Sequence, residues 1–453
     1  MDMNNKENSR NDVFLPGSFS LSKSNSGTSM EKGIQQEHIE DVPQGTATEG
    51  KTLFMFLKAF IGTGVIFLPG SFVNGGLLMS LVLLTVVGGL CLFAFHILYI
   101  VQQQTGGNYG EVARHLYGNW LCILIDTFLV ISQMGFVSSY LIFISENIGI
   151  VVNALSNCHA PFKPEYYIWF VLIAIIPITW VKRIERLSIL MIIADAFIAF
   201  GLISILYFAS SQISHHGVAN NIVMVNTEHF ALMVGTAVFS FEGIGIILPI
   251  ANGMKDPSKF PKIMNIGMLI VLCILALIGT IGYLAYGDAT QASVVSNLPK
   301  SPLSTTVQLL YACAIILSTP LVLYPAVSIL ESYVFKRCAV NDNARTNCLK
   351  KLGRSVITII CASISFGVGP ANLDKFVSMV GSIACIPLVF HFPPMFHYKI
   401  TQSRFAKIAN IMMMVLGFAI MGYTMYVSVN AWIHPMASTR VVIDVNHCDV
   451  PAF

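Results

Sequence analysis

Two stretches decide how this chain folds: Lys58-Ala59-Phe60-Ile61-Gly62-Thr63-Gly64-Val65-Ile66-Phe67-Leu68-Pro69 and Phe239-Ser240-Phe241-Glu242-Gly243-Ile244-Gly245-Ile246-Ile247-Leu248-Pro249. Both lie inside long apolar segments, and both carry G-x-G followed by Leu-Pro. In a helix interior glycine costs about 1 kcal/mol relative to alanine and proline about 3 kcal/mol, so each segment is expected to break at this point. In lipid, such a break survives only where the freed N–H and C=O groups meet protein, water or a ligand.

On either side of these stretches the chain is a series of apolar runs. They cover roughly 52–73, 76–101, 119–152, 166–181, 187–209, 229–251, 263–286, 304–334, 355–370, 374–398 and 408–432, eleven in all. A run of about 20 residues spans the hydrocarbon of a bilayer at about 1.5 Å per residue. Composition agrees: 55% of the 453 residues are hydrophobic and 11% charged, against about a quarter charged in an average soluble domain. A water-soluble fold is excluded. The broken segments are then the first and sixth of eleven spans, which is where two five-helix repeats would place them. The expected fold is an all-α polytopic membrane protein with a five-plus-five inverted repeat and one extra helix.

Residues 1–50 hold eight acidic and four basic side chains and no apolar run long enough to insert, and are expected to be a disordered tail. Residues 51–432 form the membrane domain and 433–453 a short second tail. Basic residues are retained on the cytoplasmic side of short loops. With the amino terminus inside, sixteen Lys and Arg of the loops between spans fall on that side, and four, counting Arg440 of the carboxyl tail, on the other. The amino terminus is therefore expected in the cytosol and the carboxyl terminus across the membrane. Of the ten cysteines, Cys158 and Cys448 alone fall on the far side, where a disulfide between them would be allowed.

In carriers built from inverted repeats, half-helix N-termini aim positive dipole ends and bare N–H groups at an anionic part of the substrate, while unwound carbonyls receive a cation. A zwitterion suits both. Gly62, Thr63 and Gly64 are the candidates for a carboxylate, and the carbonyls near Ser240, Phe241 and Gly243 for an ammonium group.

Charge within the spans is costly, about 2.5 to 3.5 kcal/mol per group on insertion scales, and marks function by default. Lys58, Asp126, Glu146, Asp195, Glu242 and Glu331 are the residues concerned. Glu242 sits in the sixth break and is the first candidate for a proton-coupling acid; a structural carboxylate that bonds bare N–H groups is the alternative. Lys58 lies at similar depth to Asp126 and Asp195, and any nearby carboxylate would serve as its partner in an ion pair or gate. Glu146 and Glu331 stand near span ends and are expected to reach water. In the third span Asp126, Gln133 and Tyr140 recur every seven residues beside Ser132, Ser139 and Glu146, which gives one polar face turned inward. Tyr140 on that face either closes over a substrate or makes interhelical hydrogen bonds.

The segments LKAFIGTGVIFLPGSFVNGG and FSFEGIGIILPIANGMKDPSKFP, with LSTPLVLYPAVSILES in the eighth span, resemble the amino acid/auxin permease family, in particular its proton-coupled and fungal vacuolar amino acid transporter branches. The resemblance implies a LeuT-like inverted-repeat core, neutral amino acid substrates, proton coupling and a vacuolar or lysosomal membrane in preference to the plasma membrane. Some animal members of that family have a His where this chain has Met55, which puts more weight on Glu242 and Asp195. In sodium-coupled relatives of the same architecture, span-eight hydroxyls help to hold a cation, so Ser318 and Thr319 form a candidate cation site, with back-bonding to their own helix as the alternative.

No GxxxxGK[ST] loop, HExxH or GxSxG occurs in the chain, so neither an ATP-driven pump nor an enzyme is expected. No cofactor, metal or nucleic acid is implied; the partners are a small-molecule amino acid and the bilayer, with protein partners left open. The alternatives to a carrier from lumen to cytosol are an amino acid sensor with little flux and a plasma-membrane permease.

Overall fold

The computed structural model describes residues 45–62, 64–157, 159–181, 184–334 and 344–434. Cys158 and Cys448 lie outside them, as does Thr63. Fifteen α-helices occur among the described residues: α1 (Glu49–Phe60), α2 (Gly64–Gly75), α3 (Leu77–Thr105), α4 (Tyr109–Tyr117), α5 (Asn119–Leu155), α6 (Tyr167–Thr179), α7 (Ile184–His216), α8 (Phe230–Ser240), α9 (Ile244–Asn252), α10 (Phe260–Tyr286), α11 (Pro302–Val334), α12 (Ala344–Val368), α13 (Leu373–Val380), α14 (Phe392–Ile400) and α15 (Arg404–Ile433).

Nine of the helical segments are long and apolar enough to cross a membrane, the α1–α2 pair makes a tenth, and the shorter apolar helix at Pro164–Thr179 stands where the fourth span was expected. The protein is a multi-pass membrane protein, and its apolar exterior carries side chains such as Phe405, Met412, Val415 and Tyr426 of α15 facing outward. Burial sorts the spans. In the most apolar windows of the sixth and tenth spans 83% and 89% of residues are enclosed, against 17% for α15. The sixth and tenth therefore sit at the centre and the last helix at the periphery, as an addition to a ten-span core would.

Close backbone approaches hold that centre together. A Cβ on Gly235 of α8 would stand 2.9 Å from Ser378 Cα, and one on Gly381, just after α13, would stand 3.2 Å from the Phe239 nitrogen. Between α13 and α14 the tenth span runs through two widened, π-type turns, Gly381–Cys385 and Pro387–His391, a feature that often accompanies functional sites. The free N–H groups at the start of α3 are met by the incoming loop: Leu77 N donates to Val223 O (2.8 Å) and Leu78 N to Met224 O (3.0 Å). This answers the need of every helix start for external acceptors.

Residues 45–50, expected as the end of the tail, belong to the fold. Ala47 N donates to Gly253 O (3.1 Å), Lys255 N donates to Ala47 O (3.0 Å), and Thr48 caps α1. Lys259 pairs with Glu49 at 2.7 Å. The start of α1 is thereby clipped to the loop after α9.

Candidate functional site

Both predicted breaks are present. The first span stops at Phe60, resumes at Gly64 and bends by 49° between its halves. The sixth stops at Ser240 and resumes at Ile244, yet α8 and α9 continue as one apolar span from Phe230 to Asn252. Two helix C-termini, α1 and α8, and two N-termini, α2 and α9, therefore meet in one region. Their partial charges, about half an elementary charge at each end, offer an acceptor and a donor surface side by side.

The breaks touch. Ser240 Oγ lies 3.3 Å from Gly64 O and 2.8 Å from Thr236 O, and its one hydrogen serves these two carbonyls. A Cβ on Gly64 would stand 2.9 Å from Ser240 Cα, so glycine is what allows the crossing. On the other side of the break the Phe60 ring lies against Gly243, where a Cβ would meet it at 2.6 Å. Phe241 is fully buried, with its ring tip 3.0 Å from a Cβ position on Gly88 of α3. Gly62 is different: the nearest atom to a Cβ there is the Tyr140 hydroxyl at 3.9 Å. Tyr140 of α5 is thus brought to the mouth of the first break, and Gly62, Gly64, Tyr140, Ser240, Phe241 and Gly243 form one neighbourhood.

Glu242 occupies the sixth break and is partly buried. Its backbone N–H donates to Phe239 O at 3.3 Å. The carboxyl has Cys91 of α3, Tyr109 of α4 and Cys385 of the tenth span as electrostatic neighbours. Tyr109 in turn donates to Leu388 O at 2.6 Å, on the second widened turn. The acid therefore stands between the sixth break and the irregular part of the tenth span.

The ion pair of Lys58 is made with Asp195 of α7, at 2.5 Å, with side chains 27% and 32% exposed. Asp126 is engaged elsewhere: the Tyr333 hydroxyl donates to it at 2.7 Å, and so does the Cys122 thiol, at 3.7 Å, whose sulfur accepts in turn from Arg114. Tyr333, at the end of α11, was not legible as its partner. Ser318 donates to Ala314 O (2.8 Å) and Thr319 to Ile315 O (2.7 Å), so both hydroxyls bond one turn back along α11. No group of three or more His, Cys, Asp or Glu is placed to hold a metal among the described residues.

Two expectations are corrected. Glu331 does not simply reach water: Arg354 of α12 donates to it at 2.8 Å and also to the carbonyls of Thr179 (3.2 Å) and Val181 (3.3 Å), which ties α11 and α12 to the end of α6. Glu146 does not reach water either. It is 4% exposed, because the loop between α10 and α11 folds over it.

Residues 45–430 match the family described as transmembrane amino acid transporter protein. The chain belongs to this family. It is the amino acid/auxin permease family that the two glycine-rich stretches resemble. Among curated relatives in the family, the vacuolar amino acid transporter 3 of Schizosaccharomyces pombe is 35% identical over 85% of this chain and 58% of its own length. Vacuolar amino acid transporter 4 of Saccharomyces cerevisiae is 34% identical over 92% of this chain and 63% of its own. The chain thus spans about three fifths of the length of these relatives. Solved structures of similar fold include Mhp1, a nucleobase-cation-symport-1 family transporter (TM-score 0.54, 14% identity, 87% of this chain and 95% of that one). MhsT in complex with L-phenylalanine is another (TM-score 0.52, 13% identity, 85% and 99%). At such identities the likeness concerns fold alone. This member of the permease family has the LeuT-type fold that the resemblance implies.

Proposed function

We propose that this protein is a secondary carrier of mainly neutral amino acids, driven by protons from the lumen of a vacuole or lysosome to the cytosol. The observation that carries the proposal is the crossing of the breaks, where Gly64 and Ser240 touch and four helix ends converge. A zwitterion matches that arrangement. Its carboxylate takes the N–H groups at Gly62, Thr63 and Gly64, that of Gly62 turning away from Phe60 O, to which it donates at 3.1 Å, and its ammonium group takes carbonyls near Ser240 and Phe241, with Tyr140 beside Gly62. Family membership supports the substrate class, and the names of the fungal relatives support a vacuolar address.

In this reading Glu242 couples proton and substrate. A carboxyl buried beside a broken helix is costly to ionise while dry and cheap to ionise once water enters, so its protonation follows the opening of the site. Lys58 and Asp195 act as a gate on the side that the basic loops place in the cytosol. Neither proposed role calls for a cofactor. The test is uptake of labelled neutral amino acids into proteoliposomes with and without an imposed pH gradient. Saturable, gradient-driven accumulation is expected. Specific binding without flux would point to a sensor and overturn the carrier reading.

A further inference from the structure

The loop joining α10 to α11, residues 287–301, is unusual in being enclosed: Thr290, Ser293, Val294 and Val295 have no exposed surface, and Ser296 and Leu298 almost none. It packs on two elements at once. A Cβ on Gly70 of α2, the second half of the broken first span, would stand 3.0 Å from Ala292 Cα, and the turn Val294–Asn297 lies on α5. Loops seldom bury themselves, because their backbone polar groups need partners. Side chains supply several here. Asn297 accepts from Gln291 N (2.8 Å) and donates to Ala289 O (2.9 Å), and Gln308 of α11 donates to Val295 O (3.3 Å).

Three side-chain oxygens under the loop are left over. Ser293 Oγ and Oε2 of Glu146 are buried without a hydrogen-bond partner, and Ser296 Oγ has none besides the Glu146 carboxyl that it faces. Glu146 is 4% exposed, and Ser296 is the side chain with which its carboxyl interacts. The titratable groups on the surrounding elements are Tyr311 of α11, Glu165 and Tyr167 at the start of α6, Asp374 and Lys375 of α13 and Asp288 in the loop itself. Lys375, the one cation in this set, bonds Asn372 Oδ1 at 3.2 Å, and no salt bridge to Glu146 occurs among the described residues. An ionised carboxylate with an unsolvated oxygen is expensive in such a place. A proton on Oε2 removes the charge and creates an O–H donor for a serine hydroxyl.

We propose that Glu146 and Ser296 form a proton-binding site, separate from the crossed breaks, that latches the 287–301 loop over the second half of the first span. The closed loop and the protonated acid belong to one state; the open loop and the wet, ionised acid belong to the other. Each therefore shifts the other's equilibrium. Low pH on this face of the membrane keeps α2 covered and high pH releases it. This rests on the carrier reading only for its consequence, which is that the pH on that face sets access to the broken span.

The test is amide hydrogen exchange of the full chain in lipid nanodiscs at about pH 5 and about pH 8, which bracket carboxylate titration, with rates corrected for intrinsic pH dependence. In the wild type, peptides covering 287–301 are expected to exchange about tenfold faster at the higher pH. Glu146→Gln, isosteric and permanently neutral, should hold the loop slow at both. A wild type without this step, or a step that survives in Glu146→Gln, overturns the latch. Should Glu146→Gln fail to fold, Ser296→Ala decides: the midpoint of the step must move, and an unmoved midpoint counts against the pairing. Glu242→Gln must retain the step, since its loss there would mean that the latch is not separate. Exchange does not depend on flux, so a chain that latches but transports nothing breaks the carrier reading alone.

Discussion

The two broken spans share the motif G-x-G…Leu-Pro and use it differently. The first bends by 49°, whereas the sixth carries on as a single apolar span. Within the first, Gly64 is pressed against the Ser240 backbone and Gly62 has only the Tyr140 hydroxyl nearby. Within the sixth, Gly243 receives the Phe60 ring, and Glu242 places an ionisable group in the gap itself. In the first break one glycine thus serves helix packing while its neighbour leaves open space, and one break of the pair holds an ionisable group while the other does not.

The contrast between Gly64 and Gly62 is the part most easily broken. Gly64→Ala is expected to abolish transport and lower thermal stability, because a methyl group at 2.9 Å from a backbone atom cannot be relieved by turning a side chain; overpacking of this kind costs about 1 to 3 kcal/mol. Gly62→Ala should fold normally and weaken substrate affinity about tenfold, equivalent to about 1.4 kcal/mol. Melting curves and binding isotherms of the two variants check this. Equal destabilisation would show that both glycines serve packing, and an unchanged affinity in Gly62→Ala would move the substrate elsewhere.

The difference in charge is sharpened by Glu242→Gln. Proton-driven accumulation is expected to fall to equilibration, with the internal concentration no higher than the external, while exchange of labelled for unlabelled substrate continues. Counterflow and accumulation measured on the same proteoliposomes separate the two. Accumulation at the wild-type level would leave Glu242 a structural carboxylate.

How much of this was legible in the sequence follows from what each signal depends on. The breaks were readable because glycine and proline inside an apolar span leave backbone groups that something must meet. Spans and polar faces were readable because helical period and bilayer thickness are fixed. Partners were not. Lys58 has Asp126 and Asp195 at similar depth, and only the rotation of α7 and the capture of Asp126 by Tyr333 decide between them. Glu146 looked accessible from its place near a helix end, because position along a helix does not report that a loop from elsewhere covers it. Nor does G-x-G say which glycine will be crowded.

The Lys58–Asp195 ion pair, proposed as a gate, gives a smaller effect. Lys58 and Asp195 are each about a quarter to a third exposed, and a pair screened to that degree is worth about 0.5 to 1 kcal/mol. Lys58→Met and Asp195→Asn are each expected to slow transport about threefold, on that energy scale. The exchanged pair, Lys58→Asp with Asp195→Lys, should recover much of the rate. Single variants whose losses add, with no recovery on exchange, would mean that the two charges act independently.

The smallest effect is expected in the eighth span. Ser318 and Thr319 each donate to a carbonyl one turn back, at 2.8 and 2.7 Å, and Thr319 is fully buried. A hydroxyl bonded along its own helix mainly relieves or bends that helix, and Pro320 follows directly. A sodium ion held between span-eight hydroxyls and the first break would need their lone pairs turned toward it. It would also make the hydroxyls indispensable, since a hard cation sheds its water only for a full set of oxygen ligands. Ser318→Ala and Thr319→Ala should therefore change the transport rate less than about twofold, the scale of a back-bonding hydroxyl, and replacing sodium by choline should not alter uptake by either variant or by the wild type. A sodium-dependent rate lost in both variants would turn the eighth span into a coupling site and leave Glu242 with no necessary part in the contrast between the two breaks.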